Sequence, residues 1–253
     1  MNYIYRGMRI EYDIVGSGNP IILLHGWGTN KNTFTNLCNE IKTKYEVHLI
    51  DLIGFGKSDE PYKVLALDDY VYFLCDYIKR NNIKNPIILG HSFGGRIAIK
   101  YTSLFNNVDK LILVDSAGIK KKRNIKKWIS IKKYKLKKCF FKLTKNTKAY
   151  EKLIKSSGSY DYKNASDIMK GTLSKIVNED LRKHLKDIST ETLIIWGKDD
   201  KETPYKDALL MNKLLKNSGL VSFDNTGHFP YLENKKEFNI VLKEYLKVNE
   251  WYI

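Results

Sequence analysis

Cysteine is scarce in this sequence, and so are long apolar runs. There are three cysteines in 253 residues. Cys38, Cys75 and Cys139 lie far apart, are odd in number and share no metal-ligand or disulfide-framework spacing. They read as small apolar residues, and a reducing cytoplasm suits them. No apolar stretch approaches the roughly 20 residues that cross a bilayer. The beginning, Met1-Asn2-Tyr3-Ile4-Tyr5-Arg6, has neither an apolar h-region nor a small-residue cleavage site, so no secretory signal is expected. Internal repeats are missing too, which removes solenoids and propellers from consideration.

Acidic residues are missing from one place in particular. The whole chain carries 44 Lys or Arg and 28 Asp or Glu, a formal charge of +16. Residues 119–155 hold 16 of the basic residues and one acid, Glu151. The other 28 basic and 27 acidic residues nearly cancel. The positive charge therefore belongs to one segment and not to the protein at large. No nucleic-acid reading motif accompanies it, so nucleic acid is not expected as a partner.

What the sequence does contain is alternation. Residues 3–5 and 9–15 alternate in strand fashion around Gly7, as an opening hairpin would. Four short apolar runs follow, Ile21-Ile22-Leu23-Leu24, Val47-His48-Leu49-Ile50, Pro86-Ile87-Ile88-Leu89 and Leu111-Ile112-Leu113-Val114, and a fifth is Leu193-Ile194-Ile195-Trp196. Runs of this kind are strands buried on both faces of a parallel sheet. Helical spacing predicts helices over 32–42, 68–81, 205–216 and after Asn234, with a last strand over 220–223. The alternation stops for about 75 residues after Asp115. The expected organisation is one α/β core, 1–118 and 190–253, interrupted by a helical, lysine-rich segment, 119–189. Within the segment, 124–144 has the spacing of a basic amphipathic helix, and 165–177 and 179–185 read as two more.

The chemistry centres on Gly90-His91-Ser92-Phe93-Gly94-Gly95, between a strand and a helix. A G-x-S-x-G pattern there is a nucleophile elbow, which holds the serine hydroxyl up on a tight, strained turn. Gly90 and Gly94 suit places where a Cβ would strike backbone. A serine hydroxyl needs a general base, itself oriented by an acid. Of the five histidines, His25, His48, His91, His184 and His228, the last lies after the final strand, in the loop Thr226-Gly227-His228-Phe229-Pro230. That is the carboxyl edge of the sheet, where Ser92 sits. The acid is expected in Gly197-Lys198-Asp199-Asp200. Either aspartate could serve, Asp200 is preferred, the other would make the turn, and Asp115 is a weaker alternative. An oxyanion hole needs backbone N–H donors. Phe93, just after the serine, supplies one, and Trp27 in His25-Gly26-Trp27-Gly28 the other, with Gly26 and Gly28 allowing close approach.

The order Ser92, Asp200, His228, with the elbow, the His-Gly-Trp-Gly loop and Asp51-Leu52-Ile53-Gly54-Phe55-Gly56-Lys57-Ser58, resembles the α/β-hydrolase family over essentially the whole chain except the insertion. The resemblance implies an eight-stranded, mostly parallel sheet with helices on both faces and a helical cap after strand six. It also implies a serine hydrolase working through an acyl-enzyme. Serine at position 92 separates the chain from the family's dehalogenases and epoxide hydrolases, which use aspartate there. Within the family it is similar to small carboxylesterases and to carbon–carbon bond hydrolases, and a thioesterase or lyase could reuse the same residues. A non-catalytic ligand-binding protein on the same scaffold is the alternative from another class. A small-molecule acyl substrate is expected, with no metal or organic cofactor. In the cap, Trp128, Tyr134, Phe140 and Phe141 would pack against the core or roof the pocket. Its lysines would form a solvated outer face, a contact for anionic membrane, or a guide for an acidic substrate.

Overall fold

The alternation of buried and exposed positions along the first 15 residues produces a hairpin of β1 (Asn2–Tyr5) and β2 (Met8–Val15). Its turn residues, Arg6 at φ 47 and Gly7 at φ 79, are both left-handed, as a two-residue turn between twisted strands requires. The computed structural model describes residues 1–120 and 165–248. The apolar runs become β3 (Asn19–Leu24), β4 (Tyr45–Ile50), β5 (Ile87–His91), β6 (Lys110–Val114), β7 (Glu191–Gly197) and β8 (Ser218–Phe223). They join the hairpin in one eight-stranded sheet ordered β1-β2-β4-β3-β5-β6-β7-β8. β2 runs antiparallel to β1 and β4, and every pairing from β4 to β8 is parallel.

Two layers of helices explain why the central strands carry apolar residues at consecutive positions. Ile22, Leu24, Ile88, Leu111, Leu113, Ile194 and Trp196 enter one core cluster, with residues of α2 (Leu67–Arg80), α3 (Phe93–Phe105) and α6 (Tyr205–Leu214). Ile21, Leu23, Ile87, Leu89, Ile112, Leu193 and Ile195 point the other way, against α1 (Thr35–Ile41), α7 (Pro230–Glu233) and α8 (Lys235–Tyr245). Successive side chains of a strand face opposite sides, so a sheet covered twice has no polar face.

Between β6 and β7 the described residues form α4 (Asp167–Val177), capped by Ser166, and α5 (Arg182–Asp187). The second starts later than the spacing over 179–185 suggests. The end of α4 and the turn after it are tied across the fold. The Leu181 amide donates to Gly118 O at 2.9 Å, Arg96 donates to the carbonyls of Ile176 and Glu179, and the Glu179 carboxylate pairs with Lys100. The expected basic helix over 124–144, with Trp128, Tyr134, Phe140 and Phe141, lies outside the described residues, as does Cys139. Cys38 is buried, and Cys75 is half-buried against the core. No helix among the described residues is long and apolar enough to cross a membrane.

Candidate active site

Parallel strands deliver their following loops to one edge, and that is where the expected residues meet. Ser92 lies beyond β5, Asp115 beyond β6, Asp200 beyond β7, His228 beyond β8, and the 25–28 loop beyond β3. The elbow is strained as the motif requires. Ser92 has φ 50 and ψ −109, a region a β-carbon makes costly and surrounding structure must hold. It is held by backbone bonds to β6 and to the loops after β6 and β3. Ser92 N donates to Val114 O at 3.1 Å, Ala117 N donates to Ser92 O at 3.0 Å, and Gly94 N donates to His25 O at 3.1 Å. A Cβ on Gly94 would stand 2.0 Å from Leu24 O, and one on Gly90 would stand 2.6 Å from Gly94 O.

His228 bridges the serine and an acid. Its Nε2 is 3.0 Å from Ser92 Oγ, and its Nδ1 is 2.7 Å from Asp200 Oδ2. The Asp200 side chain is fully buried, whereas that of His228 is slightly exposed. Burial pushes the Asp200 carboxyl up. The hydrogen bond and charge of His228 outweigh it, with help from Thr203 and Asp115, and hold the carboxyl at about 2. The carboxylate also accepts from the amides of Glu202 at 2.7 Å and Thr203 at 3.0 Å, and from the Thr203 hydroxyl. An ionised Asp200 assigns the ring proton to Nδ1 and leaves Nε2 to accept from Ser92. Of the two adjacent aspartates, Asp199 is exposed and uses its amide in the turn to Thr226 O. Asp200 is the one brought to His228.

The 25–28 loop is set by a histidine with a different job. His25 is buried, and burial lowers its ring to about 4, so it is neutral. Its Nε2 accepts from the Leu52 amide at 3.1 Å, and Nδ1–H donates to Gly26 O at 2.7 Å. The loop therefore stands beside the elbow. The Trp27 ring packs edge-on against Phe93 at 5.4 Å and Phe55 at 4.8 Å. Phe93 is the first residue of α3, so its amide has no carbonyl one turn back to bond. This arrangement sets the Phe93 amide, the Trp27 loop and an aromatic wall around the serine.

Two residues that support His228 escaped the sequence reading. His91 is fully buried, and burial first, then the charge of His228, lowers its ring to about 3. Neutral, it donates from Nε2 to His228 O at 2.7 Å. Glu233 accepts from the amides on either side, Gly227 at 2.6 Å and Phe229 at 2.9 Å. The five-residue spacing from His228 was the available signal. The remaining histidines are occupied elsewhere, His48 by Tyr77 and Glu46, and His184 by Ser103. Among the described residues, Asp115, Asp200 and His228 are the group with metal-ligand types close together. Both ring nitrogens of His228 are taken by Ser92 and Asp200, which makes a hydrogen-bond relay of it.

Comparison with known proteins decides the family. A model of the alpha/beta hydrolase fold matches residues 19–131, and a model of TAP-like protein matches 173–250. The AB hydrolase superfamily protein YisY of Bacillus subtilis is 31% identical over 252 residues, which cover 91% of this chain and 92% of that protein. This chain belongs to the α/β-hydrolase superfamily. As an α/β-hydrolase it is also 27% identical to a pimeloyl-[acyl-carrier protein] methyl ester esterase of Shewanella woodyi, over 94% of this chain and 97% of the other. Among solved structures, the esterase EaEST of Exiguobacterium antarcticum superposes with a TM-score of 0.74 and 27% identity, covering 95% of this chain and 96% of the esterase. The eight-stranded, mostly parallel sheet expected from the sequence is borne out.

Proposed function

We propose that this enzyme is a serine hydrolase that cleaves a small carboxylic ester through an acyl-enzyme. The observation that carries the reading is the continuous chain from Ser92 Oγ through both ring nitrogens of His228 to Asp200, at 3.0 and 2.7 Å. His228 Nε2 takes the proton as Ser92 attacks the ester carbonyl, and Asp200 stabilises the imidazolium that forms. The amides of Phe93 and Trp27 hold the developing oxyanion. His228 then protonates the leaving alcohol, and in the second half it activates water to release the acid and free Ser92. Trp27, Phe55 and Phe93 form an apolar wall suited to an acyl group. Two relatives with esterase in their names, each 27% identical over nearly the whole chain, support an ester over other acyl derivatives.

A fluorophosphonate probe is expected to label Ser92. Hydrolysis of p-nitrophenyl esters should fall by about 10⁴ or more in Ser92→Ala, the size of effect seen when a triad member is removed. Full esterase activity in Ser92→Ala would sink the reading. Turnover of an acyl-CoA or a vinylogous diketone in place of every ester would redirect it to a thioesterase or a carbon–carbon bond hydrolase.

A further inference from the structure

Asp115 follows β6 much as Ser92 follows β5, and no step of the proposed reaction uses it. The residue is fully buried, and its backbone is held at φ 40, which aspartate tolerates better than most residues. Its amide donates to Ile195 O at 3.0 Å, and its Oδ1 accepts from the Gly197 amide at 3.1 Å. Its Oδ2 meets no donor. The carboxyl of Asp115 lies beside that of Asp200. One side-chain oxygen or nitrogen from each of Asp115, Asp200 and His228 lies within 4.8 Å of the others.

Two carboxyl oxygens attract only with a proton between them, and two like charges buried together are costly. Asp200 has donors for its charge in two amides, a hydroxyl and His228. Asp115 has one amide. The proton therefore belongs on Asp115. We propose that Asp115 is a positioning residue, a neutral carboxylic acid whose Oδ2–H donates to Asp200 while its Oδ1 accepts from Gly197, so that the acid pair carries a single negative charge aimed at His228. This deepens the serine-hydrolase reading above and rests on it. The titratable groups facing Asp115 are Asp200 and His228, with Tyr231 and Glu233 at longer range. Burial, then the hydrogen bond and charge of Asp200, push the Asp115 carboxyl up to about 10, against the pull of the Gly197 amide.

Asparagine reproduces a neutral acid here, because its oxygen can take the Gly197 N–H and its NH₂ can donate to Asp200. Alanine cannot do either. With p-nitrophenyl acetate, Asp115→Asn is expected to hold kcat within about twofold, and Asp115→Ala to lose roughly tenfold in kcat at unchanged KM, as for a lost hydrogen bond to a charged group. The acid limb of kcat/KM should stay in place in Asp115→Asn. If Asp115 were ionised, the same change would remove a negative charge from beside His228 and move that limb to lower pH. Such a move, or a kcat as low as that of Asp115→Ala, overturns the proposal.

Urea unfolding provides a measurement that needs no activity and no folded alanine variant. A carboxyl that is protonated in the fold and ionised in the unfolded chain costs stability above its ordinary pKa, and the cost grows until pH reaches the folded value. The gain in unfolding midpoint of Asp115→Asn over the wild type must then be larger at about pH 8 than at about pH 5. A constant or shrinking difference overturns the neutral acid. Should no ester be hydrolysed, the ester reading falls, and the unfolding series still decides where the Asp115 proton lies.

Discussion

Glu233 stands outside the relay of Ser92, His228 and Asp200, yet its two oxygens hold the amides on both sides of His228. The carboxylate fixes the loop while the neutral ring of His91 holds the His228 carbonyl. His228 thus has its ring bound at both nitrogens, its carbonyl held by His91 and both neighbouring amides held by Glu233. Glu233→Gln keeps one acceptor and turns an NH₂ toward the second amide, where it can accept nothing. Because the site is exposed, the loss is expected to be modest, roughly three- to tenfold in kcat with KM little changed. Steady-state kinetics with a p-nitrophenyl ester, paired with the rate of fluorophosphonate labelling, checks it. A change confined to KM would assign Glu233 to substrate binding and not to the histidine.

At the scale of elements, the elbow is where β5 hands the chain to α3, and it works by close approach. Glycines at 90 and 94 let the turn lie against β3 and the start of α3, with no room for even one carbon. Gly94→Ala would place its Cβ 2.0 Å from Leu24 O, so β3 or the turn must shift, and the Gly94–His25 bond that joins the elbow to the 25–28 loop is lost. A displacement of about 1 Å at a reacting group is enough to cost on the order of 10²-fold in rate. Gly94→Ala is accordingly expected to lose about that much in kcat/KM, with a lowered melting temperature read by circular dichroism. Wild-type kinetics in that variant would show that the close approach is dispensable. At the same scale, the turn before α5 is a case where local spacing misled. Helical periodicity over 179–185 is present in the sequence, but Arg96, Lys100 and Gly118 capture the backbone and side-chain groups of 179–181 from across the fold.

At the scale of the whole molecule, the charge at the site enters the stability of the fold. Asp200 ordinarily titrates at 3.8, and in the fold it is held at about 2. A carboxyl depressed by folding stabilises the native state above its ordinary pKa, and that contribution is lost as pH falls toward the folded value. The difference of nearly two pKa units corresponds to about 2 kcal/mol. Between about pH 4 and pH 2, Asp200→Asn is therefore expected to lose less stability than the wild type, by about 2 kcal/mol, in acid-unfolding curves. Parallel acid limbs in the two proteins would mean that Asp200 is not held ionised by His228.

Much of this protein was legible in its sequence, for local reasons. Buried parallel strands must be apolar on both faces, so β3, β5, β6 and β7 appeared as continuous runs, and the loops that follow them had to share one edge. A strained serine turn needs glycines at fixed spacing, which marked Ser92, and the order of the loops marked His228. What the sequence could not decide is anything that depends on which way neighbouring side chains point. Asp199 and Asp200 are equivalent as letters, and only the turn after β7 sends the first to solvent and the second to His228. His91 reaches His228 across 137 residues of chain, and Glu233 reaches both neighbours of that histidine because α7 folds back on the loop. Asp115 read as a lesser candidate for the acid, and the packing of β6 beside β7 brings it close to Asp200 instead. Local sequence determines what each strand and turn can be, because propensity and burial act over a few residues. The tertiary structure decides which polar groups meet, because hydrogen bonds in a buried site join atoms whose separation along the chain carries no information about their separation in space.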